Sequence, residues 1–204
     1  MQGNTHNMVG IACALGAAEI ASLGNASPET MILAAAAGSF GGLIPDIDIK
    51  HSQARKQLYK VITTLICTIA CLSIFESIFN VKWLSRLTMH TNNTRMIIGG
   101  IFVLGIYLYG MTTAHRSFMH SITVLIASTL CVFITLPSLA PYYAIGYASH
   151  LFIDLFNHKK EQLLWPSDKG NLCFDLCDAN GIANYMICGI ATIINVIIIY
   201  IYFS

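Results

Sequence analysis

Three short stretches hold the side chains best able to do chemistry: G-L-I-P-D-I-D at residues 41–48, H-R-S-F-M-H-S at 115–121 and H-L-F-I-D at 150–154. In the last, a spacing of four sets His150 and Asp154 one helical turn apart on one face. A helix presents an imidazole and a carboxylate to a single metal ion in that way. An intrahelical His–Asp hydrogen bond would use the same spacing, and the two readings weigh about equally. In the first stretch, Asp46 and Asp48 follow an apolar segment and a proline. Acids at a helix C-terminus oppose the macrodipole, so a merely solvated helix end is the weaker reading. Alternate positions on an extended turn could address a metal and a second metal or a ligand N–H. In H-R-S-F-M-H-S, a continuous helix would point His115 and His120 about 140° apart. They converge only if a helix begins between them, near Phe118. Arg116 would then stand at the mouth, where a guanidinium can grip phosphate or carboxylate. The bland alternative is an interfacial turn whose arginine meets lipid headgroups.

Imidazoles and carboxylates together suit zinc, with manganese as the alternative. The candidate metal ligands are His6, Asp46, Asp48, His115, His120, His150 and Asp154, enough for one or two divalent ions. His6 has no motif of its own and joins through its place in the chain, whereas His51 and His158 read as interfacial. Such a site would act through a metal-activated water. Asp46 or Asp48 could serve as general base, and Arg116 would steady developing negative charge. Cys173 and Cys177 form only a weak metal or disulfide signal, and seven cysteines argue against a disulfide framework.

The elements that must position these residues are apolar. The 204 residues are 55% hydrophobic and 10% charged, against roughly 25% charged in soluble domains. The expected fold is an all-α, polytopic transmembrane bundle forming a single domain, 1–204. About seven apolar segments run near 8–23, 29–44, 59–79, 96–113, 118–136, 141–157 and 182–203. A spanning helix needs about 20 residues. The first two segments are short and rich in Ala and Gly, and read either as tightly packed spans or as a short re-entrant hairpin. No basic n-region precedes the first segment, which is expected to stay in the mature protein. With alternating spans, six of the seven histidines fall on one side, together with eight of the eleven Lys and Arg. Cytoplasmic loops hold the excess of basic residues, so the site and the N-terminus are expected in the cytoplasm. A net charge of +1 without a basic patch excludes nucleic acid as a partner.

The pieces together resemble the YdjM-like family of bacterial inner-membrane proteins, described as LexA-regulated metal-dependent hydrolases. They are T-H-N-M-V-G with His6, P-D-I-D at 45–48, H-R-S-F-M-H-S, G-Y-A-S-H-L-F-I-D at 146–154 and L-L-W-P at 163–166. The family often reads P-D-I-D-H, whereas here Ile49 follows Asp48 and the nearby histidine is His51. Either His51 takes that role from a shifted turn, or the role is not ligation. The resemblance implies a hydrolase, and the ligand spacing is also similar to that of zinc-dependent phospholipase C sites. A phosphoester on a membrane lipid or lipid-linked molecule is therefore the expected substrate. The rivals are a divalent-metal or proton transporter and a non-catalytic structural membrane protein. Transporters favour midplane sites between repeats, and no repeat is apparent here. Glu19 and Glu76 fit no part of the expected site.

Overall fold

The computed structural model describes residues 1–49 and 93–203, with scattered positions between 56 and 79. His51, Glu76, His90 and most of the third apolar segment lie outside the described residues. Among these residues there are six α-helices: α1 (Gly3–Ala21), α2 (Pro28–Leu43), α3 (Asn93–Gly110), α4 (Ile122–Thr135), α5 (Ala140–Asp154) and α6 (Ile182–Phe203). A two-stranded hairpin, β1 (Glu161–Gln162) and β2 (Asn171–Leu172), is the only sheet among them.

Local sequence explains the boundaries. After α1, Leu23 and Gly24 take left-handed backbone, and the Gly24 N–H caps the helix by donating to the Glu19 carbonyl at 2.9 Å. Ser27 then caps α2, its side chain accepting from the Thr30 N–H at 3.1 Å, with Pro28 in the first turn. The first two apolar segments thus form an antiparallel helical pair. Pro45 tightens the end of α2 into a 3₁₀ turn, Ile44–Asp48. Leu136 closes α4 just before Pro137.

Helices α1, α2 and α5 meet almost backbone to backbone. A Cβ built on Gly10 would lie 2.5 Å from the Gly38 carbonyl oxygen, and one on Gly146 would lie 2.3 Å from that same oxygen. On Gly42 it would meet the His6 carbonyl oxygen at 2.6 Å. Small residues let helices approach this closely, as membrane helices do where hydrophobic driving force is weak. The consequence is local and functional. Gly42 sets the end of α2 directly against His6 of α1, so the polar ends of three helices converge.

On the other side of α5 lies α4, with α3 beyond it, while α6 rests on α1. Beneath the converging ends, Ile44, Ile47, Phe118, Met119, Tyr143, Tyr147 and Leu151 form a packed core. Its buried hydroxyls are satisfied: the Tyr107 and Tyr143 hydroxyls are 3.0 Å apart, and Tyr143 donates to Ser128 Oγ at 2.9 Å.

Among the described residues two helices are long and apolar enough to cross a membrane, Pro28–Asp48 and Ile182–Phe203. Ile98–Gly110 and Ile122–Thr135 are shorter apolar helices. The first long span is 61% buried inside the fold, but the second only 11%, so α6 presents an apolar flank that a soluble core would hide. Two Asn residues anchor it: Asn184 Oδ1 accepts from Thr5 Oγ1 at 2.8 Å, and Asn195 Nδ2 donates to the Met8 carbonyl at 3.0 Å.

Candidate metal centre

The H-R-S-F-M-H-S stretch breaks its helix where convergence requires. Helix α3 ends at Gly110, a 3₁₀ turn spans Phe118–His120, and α4 starts at Ile122 with Ser121 as its cap. The cap oxygen accepts from the Val124 N–H at 3.2 Å. The His115 and His120 rings consequently meet edge to face, 4.9 Å between centroids. The β1 hairpin fastens this loop. Gln162 N–H donates to the Arg116 carbonyl at 3.0 Å, Ile122 N–H to the Leu163 carbonyl at 2.9 Å, and Trp165 packs edge-on against Phe118.

His150 gives the cleanest indication of role. Its Nδ1 lies 2.7 Å from the Gly42 carbonyl oxygen, a contact that requires the proton on Nδ1 and leaves Nε2 as a lone pair. That Nε2 faces His120 Nε2 at 3.3 Å and Asp46 Oδ1 at 3.7 Å. His120 Nε2 lies 3.5 Å from Asp46 Oδ1 and 3.9 Å from Asp154 Oδ2. Two donors on a tetrahedral ion at about 2.05 Å would themselves be about 3.4 Å apart. Asp46, His120, His150 and Asp154 are all buried, and one donor atom from each lies within 4.8 Å of the others. His150 thus turns to Gly42 and His120, and the simple His150–Asp154 hydrogen bond is not what the H-L-F-I-D spacing serves.

A second group, Asp48, His115 and His120, shares His120. His115 Nδ1 is 3.0 Å from Asp48 Oδ1, and His120 Nδ1 is 3.5 Å from Asp48 Oδ2. His6 stacks on His150, ring centroids 3.7 Å apart, and points Nε2 at Asp154 Oδ1 at 3.0 Å. All seven candidate ligands therefore share one neighbourhood. Arg116 joins them, its Nη2 3.1 Å from Asp154 Oδ2. The α-amine of Met1 also contacts Asp154, and Asn157 Nδ2 donates to Asp154 Oδ1 at 2.9 Å.

Some buried atoms here are met only by an ionisable neighbour, His6 Nε2 by Asp154 Oδ1 at 3.0 Å and His120 Nδ1 by Asp48 Oδ2 at 3.5 Å, while His6 Nδ1 has no hydrogen-bond partner. Buried polar atoms are normally paired. One donor atom each from Asp46, His120, His150 and Asp154, all buried and within 4.8 Å of one another, fits a divalent cation, and the mixed N/O donor set fits zinc or manganese.

One member of the neighbourhood is silent in the sequence. Glu161, fully buried on β1, places Oε1 3.9 Å from Arg116 Nη1. Burial pushes its carboxyl up to about 8, with His120 and Arg116 opposing and Asp154 adding to the rise. Within K-K-E-Q it resembles any solvated loop charge, and no local signal marks it. His158, by contrast, stays outside the cluster and pairs with exposed Asp175 and Asp178, as its interfacial reading implies. Cys173 and Cys177 are free thiols.

A cleft of about 580 Å³ opens above the cluster, lined by Asp46, His115, Arg116, Asp154, His158 and Lys159 among others. The family model described as YdjM inner membrane protein matches residues 1–203. The chain belongs to that family. No curated protein and no solved structure matches it. Family membership and the apolar helices point to a membrane location, and the buried His/Asp group is one that could bind a metal.

Proposed function

We infer that this YdjM-family protein is a multi-pass membrane hydrolase that holds a divalent metal ion, zinc ahead of manganese, and cleaves a phosphoester of a lipid or lipid-linked substrate. The observation that carries this reading is the facing of His120 and His150 through Nε2 at 3.3 Å, with Asp46 and Asp154 beside them at the foot of an open cleft. Charge supports it. Asp46, Asp48 and Asp154 are all buried here, against the Arg116 guanidinium and the Met1 amine. Uncompensated buried carboxylates are costly, and a divalent cation offsets them.

Asp46, His120, His150 and Asp154 would hold the ion, which when bound supplies the Lewis acid that activates a water at neutral pH. The Gly42 carbonyl fixes His150 in the tautomer that offers Nε2. Asp48 stands behind two imidazoles, receiving His115 Nδ1 and facing His120 Nδ1, and orients both. This is an outer role, so a single ion is the simplest occupancy. His6 packs on His150 and holds Asp154 from the side. Arg116, on the cleft wall, binds anionic oxygen.

The substrate class follows from where the cleft lies. It sits at the converged ends of apolar helices and mixes cationic with acidic lining, so an amphipathic molecule could bring a charged headgroup to it while its tails remain in lipid. The excess of Lys and Arg on that side supports a cytoplasmic orientation. Elemental mass spectrometry on detergent-purified protein tests the reading. One equivalent of zinc or manganese, lost in a His150→Ala/Asp154→Ala variant that still folds, is the expected result. Its absence from chelator-free wild type overturns the reading. Screening of phosphoesters follows with the metal-loaded protein.

A further inference from the structure

Arg116 is held more elaborately than a headgroup-facing arginine needs to be. Its side chain is only 9% exposed although it lines the cleft. Nη2 reaches Asp154, Nη1 donates to the Lys159 carbonyl, and Nε is buried with no hydrogen-bond partner. A guanidinium offers five N–H donors in a fixed plane, so donors remain for an anionic ligand. Its backbone is left-handed, φ 66°, a conformation that costs a non-glycine residue and persists where the surroundings impose it. Two adjacent residues of β1 hold Arg116, one at its backbone and one behind its guanidinium. Gln162 N–H binds the Arg116 carbonyl, and the Glu161 carboxyl lies 3.9 Å behind Nη1. Glu161 is fully buried, has neither oxygen hydrogen-bonded, and does not line the cleft.

The geometry points to Arg116 as the seat for a phosphoryl oxyanion in the cleft, and to Glu161 as the residue that positions it. This rests on the hydrolase reading above and deepens it. Glu161 touches no substrate. It limits where the guanidinium can go, so that the plane is set before an anion arrives and less ordering is left to binding. Asp154 does the same from the other side while also belonging to the metal cluster. The β1 hairpin is thus part of the site, although its sequence carries no motif.

Binding of inorganic phosphate to the full chain in detergent tests this, with Co²⁺ loaded so that its visible absorption reports the ligand cluster. Phosphate is expected to perturb the cobalt spectrum saturably. Arg116→Ala should weaken phosphate about 100-fold, within the range for a hydrogen bond to a charged group, and Glu161→Ala about tenfold, because ordering of the guanidinium is then left to binding. Glu161→Gln, which keeps an acceptor oxygen, should recover part of the loss. The double variant should bind no more weakly than Arg116→Ala alone, because a positioning residue acts only through its guanidinium. The cobalt spectrum before phosphate should be unchanged in both Glu161 variants. Additive losses, or a cobalt spectrum altered by Glu161→Ala, overturn the assignment, the second by making Glu161 a ligand. If Glu161→Ala does not fold, Glu161→Gln carries the same cycle with a smaller loss.

Failure of cobalt to bind would remove the metal reading without deciding this one. Equilibrium dialysis of labelled phosphate against metal-free protein then decides it: the same non-additive losses sustain the seat, and no phosphate binding overturns it. Repeating the titration with a short-chain phosphatidic acid separates the sources of the phosphoryl group. Tighter binding than inorganic phosphate assigns the seat to a lipid headgroup, and weaker binding restricts it to free phosphate and overturns the lipid-substrate class.

Discussion

Two groups of histidine and aspartate share one cleft. At the rim, His158 places Nδ1 2.5 Å from Asp175 and Nε2 3.4 Å from Asp178, and all three side chains are about half or more exposed. At the floor, His120 and His150 sit with Asp46 and Asp154, fully or almost fully buried. The residue types are the same and the chemistry is not. The rim histidine spends its two nitrogens on two different carboxylates, a solvated arrangement that satisfies itself. The floor histidines turn their Nε2 atoms toward each other, 3.3 Å apart and shut away from water, with Asp46 and Asp154 beside them. Burial turns a set of titratable side chains into a site, and the glycine-lined meeting of α1, α2 and α5 produces the burial.

The largest expected effect separates the two groups directly. His150→Ala/Asp154→Ala should take bound metal from about one equivalent to none, since a four-residue donor set loses two of its members. His158→Ala/Asp175→Ala should retain the full equivalent, both read by elemental mass spectrometry. Loss of metal in the rim variant would erase the distinction. Asp48→Asn comes next. As the carboxylate behind His115 and His120 it should cost 10–100-fold in metal affinity, the range for such outer partners, in a competition titration against a fluorescent chelator. Asp178→Asn, which changes the corresponding carboxylate at the rim, should leave affinity unchanged. A complete loss of metal in Asp48→Asn would instead make Asp48 a ligand.

The third effect falls on the burial itself. Gly146→Ala would put a Cβ 2.3 Å from the Gly38 carbonyl oxygen, and forcing such contacts apart costs about 1–3 kcal/mol. A lower thermal midpoint with weakened metal retention is expected, because Gly42, His6 and His150 shift together. Gly189→Ala on α6, where a Cβ meets nothing within 4 Å, should leave both unchanged or slightly raise stability. Equal effects of the two would mean that the corner does not support the site.

Sequence made the floor legible and left its supports unread, for physical reasons. His150 and Asp154 are readable because a helix converts a spacing of four into proximity. Asp46 and Asp48 are readable because carboxylates after an apolar helix lack an ordinary explanation. His115 and His120 require a helix start between them, and Phe118–His120 supplies it. What escaped depends on contacts without a period. Gly42 contributes a carbonyl, which every residue has. Glu161 reaches Arg116 through a two-residue strand too short to register as a pattern. Asp48 shows its neighbours only in the fold, where His115 Nδ1 lies 3.0 Å and His120 Nδ1 3.5 Å from its carboxylate. Against the expectation of seven spans, the described residues hold two clear spanning candidates, because apolar composition can run on where the helix does not: the segment near 118–136 is α-helical only from Ile122, after the Phe118–His120 turn.

The smallest effect concerns the carboxyl that the rim lacks, a buried one without a hydrogen bond. Glu161 is pushed up to about 8 from an ordinary 4.5, chiefly by burial. Between those values the folded chain keeps a proton that the unfolded chain has released, so the unfolded state binds fewer protons. Stability from this group is therefore full below about pH 4.5 and declines as pH rises through about 8. Metal-free protein should show this as a falling thermal midpoint over that window, and Glu161→Gln should flatten the fall. Loading the metal should flatten it as well, because a nearby divalent charge favours the carboxylate and closes the gap between folded and unfolded values. A slope unchanged by Glu161→Gln would show that another group carries it. Glu161 would then be no more distinctive than the carboxylates at the rim.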